Sequence, residues 1–446
     1  SAASDVYKRQ AVDWLNKIVE KRAGMHLRLV KGAYWDYEIK HSQVYGYEGY
    51  PVFSKKSITD IFYLACAKEI LKNKKLFAKF ATHNAHTISS IQYLGEGSDY
   101  EFQRLYGMGE LLYQSASEAL ELSSKPSIYA PIGSHKDLLP YLVRRLLENG
   151  ANSSFINRLL DPETDSAWLA ENPYERLKKE TKDIPVPKKI FFDRENSSGK
   201  DISEIENLED LKSKIDNFSG LKVDAESIYA GRLDTNNTEE KAFSISNKCE
   251  IGTITLDDPI QIKKALEKDT LDEWKEIEVN ERAKILNLIA DDLENNPYEL
   301  IYFLINEAGK TIQNAIDEIR EAVDFLRYYS SRSIELFNNT ELNGPTGEDN
   351  QMSFTPKGTF LCISPWNFPV AILIGQISAA LSCGNRVIVK PSEYSSILGY
   401  LVVKKFHDHG VPISALSLIL GDGLYGDFLT KISPCLLYTS PSPRDR

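Results

Sequence analysis

The sequence predicts an α/β protein in which helices cover parallel sheets. Short apolar segments alternate with amphipathic helical segments up to about residue 161, and the alternation returns from about residue 249. Regular strand-then-helix spacing is typical of parallel sheets. With 446 residues and 42% hydrophobic content, the chain is long enough for roughly three domains with proper cores.

Charge and cysteine content exclude several classes of protein. The net charge of -11 comes from 64 acidic and 53 basic residues without a basic block, which argues against a nucleic-acid partner for this piece. The five cysteines show no CxxC spacing and indicate neither a disulfide framework nor a zinc site, so a reducing compartment fits best. The longest apolar run, 370–383, is shorter than the ~20 residues of a membrane span.

The first segment predicts strands at 26–30, 77–81, 101–106 and 127–130, with a helix at 57–72. The sequences that follow the first three strands are KGAYWDYE, THNAH and YGMGE. Carboxyl ends of barrel strands line the active site, so we expect a site at this edge. His83 and His86 lack a neighbouring carboxylate or cysteine, and a metal is not indicated.

A two-faced helix follows the strand 127–130. Ser134 is placed as its N-cap, and Asn149 with Gly150 ends it. At about 100° per residue, one arc is leucine-rich, and the opposite arc carries Tyr141, Arg144, Arg145 and Glu148. Paired guanidiniums suit a small carboxylate ligand. A solvated face with an Arg144–Glu148 pair is the alternative interpretation.

The stretch 162–248 is polar and predicts a linker with one or two short helices and a peripheral hairpin. Helices are then predicted at 257–268, 279–295 and, after EAGKT, 311–330. A strand at 359–363 leads through SPWNFP into a helix at 370–383, and a strand at 386–389 leads into KPSE. Strand, helix and strand of this length form a right-handed crossover, which is typical of nucleotide-binding folds.

Two side chains in this crossover point to chemistry. Lys390 follows a strand's carboxyl end and could bond ribose hydroxyls, and Asn367 could offer an amide N–H to a developing oxyanion. Residues 421–426 form a GxGxxG pattern after a strand predicted at 416–420. Its acidic partner, ~20 residues later, would fall in the C-terminal stretch 435–446, which we expect to be non-native, so the dinucleotide fingerprint is incomplete.

The stretches YAPIG and LLPYLVRRLLENGANSSFINR resemble the last strand and helix of the proline dehydrogenase barrel in bifunctional proline-utilisation flavoenzymes. The resemblance implies that this segment is the C-terminal half of a (β/α)8 barrel. It implies Arg144 and Arg145 as ligands of the proline carboxylate, with Tyr129, Tyr141, Leu105 and Glu148 around the substrate. The implied FAD contacts are Arg28, Lys31, Gly32, Ala33, Tyr34, Trp35, Ser54, Lys56, Thr82, His83, Asn84 and Gln103.

EAGKT, SPWNFP and KPSE together resemble the aldehyde dehydrogenase superfamily, in particular its glutamate-semialdehyde branch. The resemblance implies the N-terminal part of a Rossmann-like domain, with Asn367 in the oxyanion hole and the Gly421 turn beside the adenosine. The implied NAD contacts are Ile363, Ser364, Pro365, Trp366, Lys390, Ser392 and Glu393. The catalytic cysteine and glutamate of that family would lie beyond Ile432.

The predicted organisation is a partial FAD-dependent barrel at 1–165, a linker at 166–248, a partial NAD-binding domain at 249–434 and a non-native tail at 435–446. Both ends of the sequence resemble translated adapter sequence. We therefore expect an internal fragment that lacks the earlier barrel strands and the catalytic cysteine, and that is inactive alone.

The expected function of the parent is proline catabolism. FAD-dependent oxidation of L-proline to pyrroline-5-carboxylate would precede NAD-dependent oxidation of glutamate semialdehyde to glutamate. We expect a cytoplasmic location, and peripheral membrane association and homo-oligomerisation of the parent stay open. One alternative is a proline dehydrogenase fused to an inactive aldehyde dehydrogenase-like domain, and another is a non-catalytic scaffold or regulator.

Overall fold

The computed structural model describes most of the chain: residues 6–21, 24–31, 35–122, 125–150, 171–180, 183–233, 237–268, 273–338, 340–432 and 437–439, without the side chains of 144–150, 340 and 437–439. The chain divides into two compact units, the first comprising 1–44 and 49–186 and the second 45–48 and 187–446. The domain boundaries expected from the sequence stay a prediction.

The first unit contains a four-stranded parallel sheet whose strands are neighbours in chain order. The strands are β1 (Met25–Leu29), β2 (Leu76–Ala81), β3 (Tyr100–Leu105) and β4 (Ser127–Tyr129). Its helices are α1 (Lys8–Lys21), α2 (Trp35–Tyr45), α3 (Lys56–Lys72), α4 (Ala85–Leu94), α5 (Glu110–Leu120), α6 (His135–Gly150) and α7 (Pro173–Lys179). The four predicted strands are confirmed, with every end within one residue of the expected position.

The two faces of this sheet differ in polarity because successive side chains of a strand point to opposite sides. One face carries Leu29, Ala78, Phe80 and Phe102, which are buried in a core that includes residues of α3, α4 and α5. The alternate positions on the opposite face include polar residues. Arg28 is paired in register with Lys79, and Lys79 with Glu101. The sheet therefore presents charged groups on the side away from its apolar core.

The second unit contains a parallel sheet with the strand order β12-β11-β10-β13. Its strands are β10 (Thr359–Ile363), β11 (Arg386–Lys390), β12 (Leu416–Leu418) and β13 (Leu437–Thr439). Three helices alternate with them: α13 (Ala371–Ser382), α14 (Ser396–Asp408) and α15 (Gly423–Ile432). The predicted crossover is confirmed, and the strand 359–363 has the expected bounds. Strand β12 ends two residues before the predicted position 420.

Further helices pack around the larger core: α8 (Ile205–Asp216), α10 (Val279–Asn295), α11 (Tyr298–Asn306) and α12 (Ile312–Phe337). Helix α9 (Pro259–Lys268) packs against α15 in a smaller core, where Ile262 is fully buried. Helix α12 starts after Thr311, whose Oγ1 accepts the Asn314 N–H at 3.2 Å. It continues seven residues beyond the predicted end at Ser330. Ser330 and Ser333 are both buried, and the helix continues through these small polar residues instead of ending at them.

The predicted linker contributes to the second unit. Its residues form α8, strand β5 (Val223–Glu226) and strand β6 (Thr238–Phe243), which join β7 (Glu250–Leu256) in the sheet order β5-β7-β6. The antiparallel β6–β7 pair is a hairpin whose second strand lies beyond the predicted linker. A separate short hairpin is formed by β8 (Thr340–Leu342) and β9 (Asn350–Met352).

The predicted start of a helix at Asp257 is wrong, because that helix begins at Pro259. Asp257 is a fully buried residue directly after β7. Nearby, the backbone of Ile228 pairs with that of Leu418 in an antiparallel bridge, with N···O distances of 2.8 and 2.6 Å. The linker therefore covers the outer edge of β12.

Candidate functional site

The polar face of the first unit's sheet brings together residues from three strands. Arg28 Nε donates to Gln103 Oε1 at 2.8 Å, and the Arg28 guanidinium carbon lies 4.7 Å from the centroid of the Tyr129 ring. Gln103 Nε2 in turn donates to Glu101 Oε1 at 2.7 Å. Three of the residues expected to contact flavin or substrate therefore form one cluster, which Glu101 extends.

Charges on this face compensate one another. Lys79 Nζ lies 3.3 Å from Glu101 Oε1. Burial alone would raise the pKa of Glu101, but hydrogen bonds from Gln103, Ser127 and Lys79 lower it below its ordinary value. Glu101 is thus an ionised acceptor at neutral pH, and it orients the Gln103 amide that receives the Arg28 bond.

The turn after β2 links this strand to β3. The Asn84 side chain caps α4 by accepting the Thr87 N–H at 2.9 Å, and the Asn84 N–H donates to Thr82 Oγ1 at 3.1 Å. His83 Nε2 accepts the Leu105 N–H at 3.3 Å. Burial and the charge of Arg104 lower the pKa of His83, which favours the neutral ring that can accept this bond. Flavin contacts of these residues stay a prediction.

Lys31 lies at the carboxyl end of β1, where its ammonium group has partners within the first unit. Its Nζ is 2.5 Å from Asp60 Oδ1 and 2.7 Å from Thr87 Oγ1, and it lies 5.5 Å from the centroid of the Tyr63 ring. The sequence analysis did not identify Asp60, because a lone aspartate within α3 carries no motif. This pair fixes Lys31 beside the predicted cofactor edge.

Trp35 and the segment 53–56 pack together. Trp35 Nε1 donates to the Phe53 backbone oxygen at 2.6 Å, and Lys56 Nζ lies 4.8 Å from the Trp35 ring centroid. Ser54 Oγ donates to Asp183 Oδ1 at 3.2 Å. The structure thus brings two of the predicted cofactor contacts, Trp35 and Lys56, into direct contact.

Several predicted site residues lie outside the described part of the chain. These are Gly32, Ala33 and Tyr34, together with the side chains of Arg144, Arg145 and Glu148 on α6. Tyr141 is half-buried on the same helix, whereas Leu139, Leu142 and Val143 are exposed. Before this helix, the Ser134 hydroxyl donates to the Asp137 carboxylate at 2.7 Å.

In the second unit, Lys390 lies at the carboxyl end of β11 and is only 4% exposed. Its Nζ donates to the Pro391 backbone oxygen at 3.0 Å and lies 3.9 Å from Glu393 Oε2. The Ser364 N–H donates to the Lys390 backbone oxygen at 3.2 Å, which joins the ends of β10 and β11. Ser364 Oγ is buried and has no hydrogen-bond partner within the described residues.

The loop 364–370, which we call the SPWNFP loop, follows β10. Trp366, Asn367 and Phe368 are exposed in it, so the Asn367 amide is accessible to a ligand. At its amino end, Gln376 Nε2 donates to the Ile363 backbone oxygen at 3.3 Å. The loop therefore places Pro365, Trp366 and Asn367 at the sheet edge where parallel α/β folds bind ligands.

A tight turn follows β12 and contains Gly421, whose φ of +154° lies in a region that favours glycine. A Cβ atom at this position would lie 2.3 Å from Tyr425 Cγ, so the tyrosine ring leaves no room for a side chain. Tyr425 OH donates to the Asp257 backbone oxygen at 2.8 Å. A Cβ atom on Gly426 would lie 3.6 Å from Lys390 Cδ, so α15 packs beside Lys390.

Near this turn lies an ion pair that the sequence did not predict. Arg232 binds the carboxylate of Asp257 with both Nε and Nη2, at 2.8 and 3.0 Å, and its Nη1 lies 2.5 Å from Glu226 Oε2. The Arg232 side chain is 16% exposed and that of Asp257 is fully buried. No motif announces these residues, since Arg232 lies in the predicted linker.

The EAGKT motif supplies a helix cap. Glu307 is buried, and its two carboxylate oxygens accept the N–H groups of Ile397 and Leu398, each at 2.9 Å. These amides lie in the first turn of α14, which begins three residues after the last residue of KPSE. Burial raises the pKa of Glu307 to about 8, although both amide hydrogen bonds act to lower it.

The described residues contain neither a candidate metal site nor a candidate membrane span. No group of three or more His, Cys, Asp or Glu residues there is arranged to hold a metal ion. Within the same residues, none of the helices combines the length and apolar character that crossing a bilayer requires.

Comparisons with known proteins match both units. Residues 5–158 match the proline dehydrogenase family, and residues 234–433 match the aldehyde dehydrogenase family. The chain is 38% identical over 441 residues to the bifunctional protein PutA of Escherichia coli strain K12, covering 92% of this chain and 32% of that protein. It is 34% identical over 200 residues to the 1-pyrroline-5-carboxylate dehydrogenase of Bacillus subtilis strain 168, covering 44% of this chain and 39% of that protein.

Solved structures give the same result. A structure of proline utilization A (PutA) with proline bound in remote sites superposes with a TM-score of 0.80 at 36% identity, covering 96% of this chain and 42% of that one. A PutA structure from Bdellovibrio bacteriovorus, inactivated by N-propargylglycine, superposes with a TM-score of 0.78 at 28% identity, covering 94% of this chain and 44% of that one.

The fold and the matches define a two-part chain, in which a segment of the proline dehydrogenase family is followed by a segment of the aldehyde dehydrogenase family. The predicted α/β class with parallel sheets is therefore confirmed. The chain belongs to the bifunctional PutA-like family. It spans about a third of the length of the curated PutA relatives that it matches.

Proposed function

We propose that the parent of this chain converts L-proline to glutamate in two oxidations. The observation that carries this proposal is the order of two matched domains in one chain, each with predicted site residues at the carboxyl edge of a parallel sheet. The first domain would use FAD and the second NAD, and the partners would be the small-molecule substrates L-proline and glutamate semialdehyde.

The polar face of the first unit fits a flavin and an amino-acid substrate. Arg28 and Gln103 form a fixed donor and acceptor pair, and the Tyr129 ring stacks on the Arg28 guanidinium. Bound FAD would accept the hydride from proline. Arg144 and Arg145 would hold the proline carboxylate by bidentate hydrogen bonds, since a guanidinium fork matches a carboxylate.

The second unit fits a dinucleotide. Buried Ser364 Oγ at the end of β10 is a polar atom that a ligand could satisfy, and Lys390 lies beside it at the end of β11. Lys390 with Ser392 and Glu393 would bind ribose hydroxyls, and the turn at Gly421 would lie against the adenosine. Asn367 would donate its amide N–H to the aldehyde oxygen as negative charge develops there.

The experiment is a pair of substitutions in the complete parent protein. Arg145→Ala should weaken the apparent affinity for proline by ~2–5 kcal/mol, the size expected when one member of a buried charge pair is removed. Steady-state kinetics with proline and an artificial electron acceptor measure this effect. An unchanged KM for proline contradicts the assigned carboxylate site.

Lys390→Ala provides the reciprocal test. It should weaken NAD binding while leaving proline-dependent flavin reduction intact, because the two variants lie in different domains. NAD titration and anaerobic flavin bleaching separate the two effects. Loss of both activities in Lys390→Ala would indicate folding damage and remove support for its assigned role.

The alternatives find less support. A proline dehydrogenase fused to an inactive aldehyde domain predicts proline oxidation without NAD-dependent oxidation of glutamate semialdehyde, and the same assays detect this outcome. A non-catalytic scaffold predicts neither activity. The matches to both enzyme families favour the two-enzyme interpretation.

A further inference from the structure

A buried ion pair lies beneath the SPWNFP loop. Glu318 on α12 has a fully buried side chain, and Lys310, which precedes that helix, has a side chain that is 12% exposed. Lys310 Nζ lies 2.5 Å from Glu318 Oε2. A carboxylate at such depth requires a fixed partner, because desolvation penalises an unpaired charge. The position of each side chain is therefore tied to that of the other.

Glu318 holds the carboxyl end of the loop. Its Oε1 accepts the N–H of Val370 at 2.7 Å and the N–H of Ala371 at 3.2 Å. These amides lie at the start of α13, where helix N–H groups have no intrahelical partner and a negative charge is favourable. The carboxylate thus acts as the N-cap that a loop residue usually supplies.

Lys310 contacts a second part of the same loop. Its Nζ lies 4.1 Å from the centroid of the Phe368 ring, a cation–π distance. Phe368 directly follows Asn367 in the sequence. At the other end of the loop, the Ser364 N–H is bonded to the Lys390 backbone oxygen. The loop is therefore anchored on both sides of Asn367, and Lys310 with Glu318 forms one of the two anchors.

We propose that Lys310 and Glu318 are positioning residues for aldehyde oxidation, which hold the SPWNFP loop so that Asn367 is directed at the aldehyde oxygen. This inference rests on the proposed function of the second domain. The pair acts through the loop. An oxyanion donor works only when its geometry is fixed before the reaction, so loosening the loop lowers kcat more than it weakens NAD binding.

The test uses the complete parent protein with both cofactors bound. Lys310→Met removes the charge and keeps much of the side-chain volume. We expect the kcat of glutamate semialdehyde oxidation to fall about 10- to 100-fold, below the about 100- to 1000-fold cost of deleting an oxyanion donor. The KM for NAD and the rate of proline-dependent flavin reduction should change less than about threefold.

A matched control is available in the same unit. Lys405 forms an ion pair with Asp292 at 2.7 Å, and the two side chains are 17% and 22% exposed. Lys405→Met removes a comparable pair between α10 and α14, so kcat should stay within about twofold of wild type. An equal loss of kcat in Lys405→Met and Lys310→Met overturns the proposal, because it indicates general destabilisation.

Two further variants separate positioning from folding. Lys310→Arg keeps the charge and should recover most of the lost kcat. Combining Lys310→Met with Asn367→Ala should give no greater loss than Asn367→Ala alone, because the pair acts through that amide. If the loss of kcat in the double variant equals the product of the two single losses, the positioning role is overturned.

If Lys310→Met fails to fold, Glu318→Gln serves in its place, since it keeps one acceptor oxygen for the loop amides and should show the same pattern with Asn367→Ala. A wild-type parent that oxidises proline but not glutamate semialdehyde contradicts the proposed function itself. A wild-type parent with full aldehyde activity and unaffected Lys310→Met and Glu318→Gln variants contradicts only the positioning role.

Discussion

The ion pair between Arg232 and Asp257 provides a quantitative test of how the linker supports the second unit. Arg232 lies in the segment that follows β5, and Asp257 follows β7. The substitution Arg232→Met deletes both hydrogen bonds to the Asp257 carboxylate but keeps an aliphatic stem. Because the Asp257 side chain is fully buried, its charge would then lose the guanidinium that pairs with it and stay shielded from solvent.

The expected magnitude follows from this burial. Removing one member of a buried pair typically costs about 3–5 kcal/mol, because the remaining charge stays desolvated. Glu226, which contacts the same guanidinium, has a side chain that is 48% exposed. Glu226→Gln should therefore cost less than about 1 kcal/mol, as is usual for exposed pairs. Arg232 therefore allows a direct comparison between a buried ion pair, with Asp257, and an exposed one, with Glu226.

Hydrogen exchange of the complete parent, read by mass spectrometry, measures the effect locally. In Arg232→Met, amides of β7 and of the turn at Gly421 should exchange about 150- to 4,500-fold faster, which is the cost of about 3–5 kcal/mol expressed as a ratio. Amides of β2 in the first unit should be unchanged. The double variant Arg232→Met with Asp257→Asn should regain most of the protection, because it leaves no buried charge. Equal effects of Arg232→Met and Glu226→Gln refute the reasoning.

Two other predictions concern buried groups of the second unit. The pKa of Glu307 is raised from 4.5 to about 8, so folding takes up a proton between these values and stability falls as pH rises through this window, by up to ~1.4 kcal/mol per pH unit. In urea unfolding at pH 6 to 9, the free energy of unfolding of wild type should fall relative to that of Glu307→Gln up to about pH 8 and stay parallel to it above that pH; a pH-independent difference contradicts the raised pKa. Trp274 is fully buried and its Nε1 donates to the Leu381 backbone oxygen at 2.8 Å, so Trp274→Phe should cost about 1–3 kcal/mol by removing that hydrogen bond and leaving a cavity beside the smaller ring. Unchanged hydrogen exchange at the end of α13 would contradict this expectation.

The sequence predicted the regular elements well where hydrophobic periodicity and local signals agreed. The four strands of the first unit and the crossover around SPWNFP appear within one residue of their predicted ends. It failed where burial overrides local preference. The helix predicted to end at Ser330 continues to Phe337, and Asp257, the predicted start of another helix, is buried beside Arg232.

The candidate site divides in the same way. Position at strand ends identified Asn367 and Lys390 as candidates, whereas the resemblance to proline dehydrogenases implied Arg28, Gln103 and Tyr129. The partners that fix them carry no motif. Asp60 beside Lys31 lies 29 positions away, and the bonds of Glu307 to α14 span 90 and 91 positions.

By itself, the sequence determined the α/β class, the order of the two domains and the edges at which chemistry is expected, because periodicity, turn residues and motifs are local properties. Only the tertiary structure decided which buried charges pair. Lys310 pairs with Glu318 and Arg232 with Asp257 because burial penalises an unpaired charge, and that burial depends on chain segments that meet only after folding. The local sequence thus specifies the functional groups, and long-range burial specifies what holds them in place.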